Sequence, residues 1–257
     1  MLIDSHAHLD MPDFDRDRDE VVERAAAAGV AIIVNVGFNR ASSQRAMDLA
    51  GRYPGVYFAA GVHPHDAKEF VPADLARYRS MLSDPKAVAV GEIGLDFYRD
   101  LSPRPVQREV FRVFLRLAID LGKPIIVHDR DAHDEVVAIL KEEGAARVGG
   151  VMHCFSGDWP MARECLKMGF LVSFAGPVTY PNARRLGEVA RLAPKDTIMV
   201  ETDCPYLTPQ AFRGKRNEPS FVVKVAEELG RLRGIPFNRI AELTSSNTRR
   251  VFGIPPS

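Results

Sequence analysis

The pattern that most restricts this chain is a regular alternation of buried-strand and helical segments. Residues 30–36 read VAIIVNV, a continuous β-branched run of the kind a strand buried on both faces requires. Comparable runs occupy 56–62, 86–96, 124–130, 149–157, 170–176 and 197–203. A shorter one opens the chain at Leu2 and Ile3 and ends at Ser5. Helical stretches lie between them at 15–28, 41–52, 73–83, 104–121, 132–143, 159–168 and 182–193, with two more at 219–232 and 237–251. Gly29, Gly122, Gly144 and Gly169 each stop a helix just before the next strand. Alternation at this pitch builds a parallel sheet, and eight units close into a (β/α)8 TIM barrel. An open doubly wound sheet is the alternative, because alternation does not by itself show closure. No linker or compositional break divides the chain, so residues 1–257 are read as a single barrel domain.

In such a barrel the chemistry sits at the C-terminal ends of the strands. The unusual histidines and carboxylates fall there. His6 and His8 follow the first strand, and their spacing puts both imidazoles on one face of an extended chain. On its own that pair reads equally as half a metal site or as two surface histidines. His63 and His65 follow strand 3, Glu92 lies on strand 4, and His128, His153 and Asp203 end strands 5, 6 and 8. Six of the seven histidines sit at strand ends; His133 is the exception, and neither it nor His65 receives a role. Each taken singly is an ordinary polar residue. Convergence on one rim makes a metal centre the better reading, provided the barrel closes.

Four imidazoles and two carboxylates suit zinc, manganese or a similar cation. They exceed what one tetrahedral catalytic zinc takes, whereas two ions sharing a carboxylate use them all. Glu92, placed mid-loop in GEIGLD, is the candidate bridge, with Gly91 and Gly94 allowing close approach to an ion. A carboxylated lysine bridge is disfavoured, because Lys86 and Lys123 sit at strand beginnings, on the opposite rim.

Charge narrows the partners. Lys plus Arg and Asp plus Glu number 34 each, so a polyanion has to be held by a local site rather than by the whole surface. No apolar run is long enough to span a bilayer, and the barrel pattern starting at residue 2 leaves no signal peptide, which points to a soluble protein without a membrane partner. Cys154, Cys165 and Cys204 are odd in number and lack CxxC spacing, which fits a reducing cytoplasm.

With these residues in view, the chain resembles the TatD family of metal-dependent hydrolases, a branch of the amidohydrolase-like barrels. DSHAHLD (4–10), GVHPH (61–65), GEIGLDFYRD (91–100), PIIVHDRDA (124–132), HCFSG (153–157), ETDCPYL (201–207) and RGKRNEP (213–219) carry the resemblance, in family order over nearly the whole chain. It implies a divalent-metal-dependent deoxyribonuclease or related phosphodiesterase. It also implies ligation by His6, His8, Glu92, His128, His153 and Asp203, with no departure at those positions.

The chemistry expected is in-line attack on phosphorus by water activated at two divalent ions, zinc, manganese or magnesium. Asp203 serves as ligand and general base, and Glu92 as the bridge. Glu201 either orients a ligating histidine or is a buried acid capped by backbone donors. His63, Arg130, Ser156 and Arg213 are the candidate phosphate holders for a DNA or other phosphoester substrate, Arg213 as part of a basic loop that follows strand 8. Arg99 and Arg104 are weaker candidates. Tyr98, Phe97 and Trp159 can stack on bases, although covering the barrel end is favoured for Phe97. Two other functions compete: a metal-dependent ester or amide hydrolase, such as an aminoacyl-tRNA deacylase, and a non-catalytic barrel. A barrel of this size can be a monomer.

Overall fold

The computed structural model describes residues 1–255. Eight parallel strands hydrogen-bond side by side in chain order. They are β1 (Leu2–Ala7), β2 (Val30–Val36), β3 (Val56–Ala60), β4 (Ala87–Asp96), β5 (Ile125–Arg130), β6 (Gly150–Met152), β7 (Phe170–Phe174) and β8 (Ile198–Val200). Helices α1 (Arg18–Ala27), α2 (Arg40–Arg52), α3 (Leu75–Leu82), α4 (Arg104–Leu121), α5 (His133–Glu142), α6 (Trp159–Lys167) and α7 (Arg184–Leu192) connect them. Helices α8 (Val222–Arg233) and α9 (Phe237–Phe252) follow β8.

The ring is nearly closed, with its seam between β8 and β1. No ladder forms there. A single bridge joins Ala7 to Cys204. The Asp203 N–H donates to the His6 carbonyl and the His8 N–H to the Cys204 carbonyl, each at 2.9 Å. Lower down, the Asp4 carboxylate accepts from the Thr202 N–H at 2.8 Å and from its hydroxyl at 2.5 Å. Outside the seam, Arg216 pairs with Asp17 and Arg24 with Glu218, both at 2.7 Å, tying the loop before α8 to both ends of α1.

Two apolar layers follow from strand alternation. Ile3, Val34, Val88, Ile126, Val151, Leu171 and Met199 fill the lumen, and Phe252 and Ile254 plug its lower end. The neighbouring residues Leu2, Ile33, Val90, Ile125, Val127 and Met152 point outward into a larger core beneath the helices.

The strand register shifts at four places, and two of them shape the site. The β1–β2 register shifts between Asp4 and Ala7, and the β4–β5 register between Val90 and Ile93. Below the first, Ile3 faces the lumen and Leu2 the outer core; below the second, Val88 and Ala89 face the lumen and Val90 the outer core; above them Ala7, Ile93 and Leu95 belong to the outer core. An extra residue in one strand exchanges its faces. Both shifts turn even-numbered residues inward, and these are His6, His8, Glu92 and Asp96.

Several expected boundaries move. β1 runs through His6 rather than ending at Ser5, and Glu92 lies within β4 rather than mid-loop. β6 and β8 are three residues each, so His153, Glu201 and Asp203 sit on the irregular chain just above them. The first and eighth helices start later than the pattern suggests, after turns at 3-10 segments Pro12–Phe14 and Pro219–Phe221. The four glycine stops all have positive φ, from 63° at Gly122 to 84° at Gly29.

Candidate metal centre

Glu92 stands at the middle of the upper lumen, 3% exposed. Its two carboxylate oxygens face different sets of side chains. Oε2 lies 3.4 Å from His6 Nε2 and 3.8 Å from His8 Nε2. Oε1 lies 2.7 Å from His128 Nδ1, 3.0 Å from His153 Nε2 and 3.6 Å from His63 Nε2. Asp203 Oδ1 completes the first set, 3.4 Å from His8 Nε2 and 3.7 Å from His6 Nε2.

Gly91 and Gly94 explain the approach of the strands rather than of an ion. A Cβ on Gly94 would meet the His128 carbonyl oxygen at 1.9 Å, and one on Gly91 the Ile126 Cβ at 2.6 Å. These glycines let β4 pass close to β5, which brings Glu92 onto His128.

The imidazoles of His8, His153 and His128 are each aimed by a partner on the far nitrogen. His8 Nδ1 donates to the Val36 carbonyl at 2.7 Å, which leaves Nε2 bare toward the cluster. His153 Nδ1 donates to Glu201 Oε1 at 3.0 Å, and the same oxygen accepts the Cys154 N–H at 2.5 Å. Glu201 therefore both orients a histidine and is capped by backbone. His128 Nε2 lies 3.2 Å from Asp96 Oδ2, which also faces His65 Nε2 at 2.9 Å. Asp96 Oδ1 accepts the N–H groups of Tyr98 and Arg99 at 3.0 and 2.7 Å.

The electrostatics are those of a site that needs positive charge. Burial pushes the Glu92 carboxyl up, but His153, His63 and His6 together outweigh it and hold it well below the usual carboxylate range. Asp203 is treated the same way by His8, His153 and His6. Burial disfavours a charge on His8, yet Asp203 and Glu92 raise it to about 9. His153 rises well above its ordinary value against burial, through Glu92 and Glu201. His63 falls well below, through burial and the neighbouring His128.

The donor set fits divalent cations. His6 and His8 Nε2 are 3.2 Å apart; two nitrogens bound to one tetrahedral ion at about 2.1 Å would be about 3.4 Å apart. Three groups of donors converge closely enough to hold an ion: His6, His8 and Asp203; His63, Glu92 and His128; and His6, His153 and Glu201. Two buried atoms beside them, His6 Nδ1 and Glu201 Oε2, have no hydrogen-bond partner among the described residues.

The sequence pattern of the TatD related DNase family matches residues 3–253. The chain belongs to that family. A Bacillus subtilis relative described as an uncharacterized metal-dependent hydrolase, YabD, is 50% identical over 254 residues, covering 99% of this chain and all of the relative. A Klebsiella pneumoniae relative named a 3'-5' ssDNA/RNA exonuclease, TatD, is 36% identical, with 98% of each chain covered. The crystal structure of YjjV, a TatD homologue from Escherichia coli, superposes with a TM-score of 0.93 at 33% identity, covering 99% of this chain and 98% of that one. Family membership makes the chain a metal-dependent hydrolase, and no helix among the described residues is long and apolar enough to cross a membrane.

All six expected ligands of this TatD-family chain meet around Glu92. The expected phosphate holders divide. His63 and Arg130 line the cavity of about 440 Å³ that opens above Glu92 and Asp203, together with His65, Arg99, Leu101 and Tyr206. Ser156 and Arg213 lie outside its lining. The Ser156 hydroxyl donates to the Asp129 carbonyl at 3.3 Å, and the Arg213 guanidinium sits 4.8 Å above the Tyr180 ring. Arg216 of the basic loop is engaged by Asp17. Phe97 is covered by Arg104 at 4.3 Å and packs against the core, as does Trp159.

Sequence reasoning passed over three residues. Asp96 was visible as the second carboxylate ending strand 4, and its role depends on the shifted register. His65, assigned nothing, holds Asp96. His133, also assigned nothing, pairs with Asp129 at 2.7 Å.

Proposed function

We propose that this chain is a two-metal phosphodiesterase acting on nucleic acid, a deoxyribonuclease that removes nucleotides from an end. The observation that carries the reading is Glu92, whose two oxygens face separate donor sets, as a carboxylate between two cations must. In this reading His6, His8 and Asp203 would hold one ion and His128 and His153 the other, with Glu92 contributing to each; zinc, manganese and magnesium are the candidates. Divalent cations bound there acidify water and polarise a phosphoryl oxygen.

The protein's own groups do the rest. Asp203, reaching the cavity and kept ionised by three histidines, accepts the proton of the attacking water. Arg130 and the neutral His63 hold nonbridging phosphate oxygens at the cavity wall. Glu201 and Asp96 keep His153 and His128 in their tautomers. The lumen below is packed with apolar side chains. The three unpaired cysteines suit a cytoplasmic setting.

The test is digestion of end-labelled single-stranded oligonucleotides by metal-reconstituted protein, sizing products over time. Stepwise shortening from one end supports the reading. Intact oligonucleotide with every candidate metal sinks it.

A further inference from the structure

Three of the large apolar side chains that stand exposed on this protein, Tyr98, Leu101 and Tyr206, rise from two loops at the barrel mouth. The loops follow β4 and β8. These strands are four places apart in a ring of eight, so the loops face each other across the opening. Leu101 and Tyr206 line the cavity along with Arg99 and Arg130.

Both tyrosines are tightly anchored yet bare. The Tyr98 N–H donates at 3.0 Å to Asp96, the carboxylate that also faces His128. The Tyr206 N–H donates at 3.0 Å to the carbonyl of Asp203, and its own carbonyl accepts from the Asn217 side chain at 2.6 Å. Each backbone is thus tied to a residue of the metal centre. The side chains are nevertheless 61% and 52% exposed. Large aromatic surface carried on an anchored backbone beside the opening marks a binding surface. One face of Tyr98 already carries a flat cation, with the Arg130 guanidinium carbon 4.0 Å from the ring centre.

We propose that Tyr98 with Arg130 on one lip, and Tyr206 on the other, form a two-sided seat for unpaired nucleobases flanking the scissile phosphate. The proposal rests on the phosphodiesterase reading and adds what the enzyme recognises besides phosphate. A rigid ring offers a base a stacking partner at little entropic cost. Arg130 stacks through its plane and keeps its N–H edge for the adjacent phosphate. A base inside a duplex has both faces covered, so only unstacked nucleotides fill the seat. Stacking uses the π-face that all bases share, so the seat discriminates strandedness and not sequence.

The experiment uses the metal-loaded full chain with two probes: a single-stranded DNA oligonucleotide, and the same oligonucleotide with abasic nucleotides at both ends. The wild-type protein is expected to prefer the ordinary probe by about tenfold or more in kcat/KM, mainly through KM. Tyr98→Ala and Tyr206→Ala each shrink that preference, and the double variant brings it near one. Tyr98→Phe and Tyr206→Phe keep it, because the ring remains. Both side chains are mostly in solvent, so truncation leaves the packing intact, which circular dichroism checks. Equal cleavage of both probes by the wild type, or a preference that survives in the double Ala variant, overturns the seat and leaves the nuclease standing. Cleavage of neither probe overturns the phosphodiesterase reading and the seat with it.

Discussion

Two levels of one lumen are built from opposite materials. The lower level is filled by Val34, Val88, Ile126 and Val151, and every one of them is satisfied by packing alone. A few residues higher in the same barrel stand His6, Glu92, His128 and His153, of which His6, Glu92 and His153 are as thoroughly buried but charged or polar. Burying ionisable groups without compensation is costly, and here they compensate one another only partly, leaving His6 Nδ1 and Glu201 Oε2 unpartnered. The lower level supplies the stability that lets the upper level stay poised for a cation. Substitutions at the two levels should therefore fail in different ways.

The largest effect belongs to Glu92→Ala. Hydrolysis should fall about a thousandfold or more, since the lost charge stabilisation is several kcal/mol, while far-UV circular dichroism stays native. An active Glu92→Ala protein would falsify the bridging role. Next comes the packed side of the molecule. Phe114 is fully buried against Phe70 and Tyr78, with ring centres 5.4 and 4.9 Å away. Phe114→Ala should cost about 3–5 kcal/mol in urea unfolding, with bound metal per folded molecule unaltered. Loss of metal from the folded variant would show that the outer core and the metal centre do not fail independently.

Asp96→Asn sharpens the comparison at its edge. The amide keeps the size and loses the charge facing His128 and His65, so metal affinity or activity should drop about 10–100-fold. A wild-type metal titration in that variant would make Asp96 a purely structural residue. The smallest effect lies outside the lumen. Arg216 and, after the opposing push of burial, Arg24 hold the Asp17 carboxyl down to about 2. A depressed folded value means the stabilisation is present above the ordinary carboxyl range near 3.8 and is lost as pH falls through about 2. The wild type should exceed Asp17→Asn by under about 1 kcal/mol at neutral pH, and unfolding curves near pH 2 should bring the two together. A constant difference across that range would show that the pairs Asp17 makes with Arg216 and Arg24 contribute nothing through charge.

Much of this was legible in the chain. The continuous β-branched runs and glycine stops located eight strands within a few residues, because burial on both faces leaves no polar alternation to confuse the reading. His128, His153 and Asp203 were readable by counting. Each lies two or four residues above a lumen-facing residue of its own strand, Ile126, Val151 or Met199. His6 and Glu92 were readable as strand-end residues but not as inward-facing ones. Alternation from the inward Ile3 and from the outward Val90 points them away from the lumen, and the register shifts beside them turn them in. Ser156 and Arg213 show the same limit on the loops, where sequence distance from a ligand says little about direction.

The order of strands and helices, the apolar staves and the set of candidate ligands follow from the sequence, because periodicity and residue type are local properties. Closure of the ring at β8 and β1, the two shifts that aim His6 and Glu92, and the meeting of Asp96 with His65 and His128 were decided only in three dimensions. Each depends on which backbone group finds a partner on a neighbouring strand, and that choice is made between segments as far apart as Asp4 and Thr202, 198 residues along the chain.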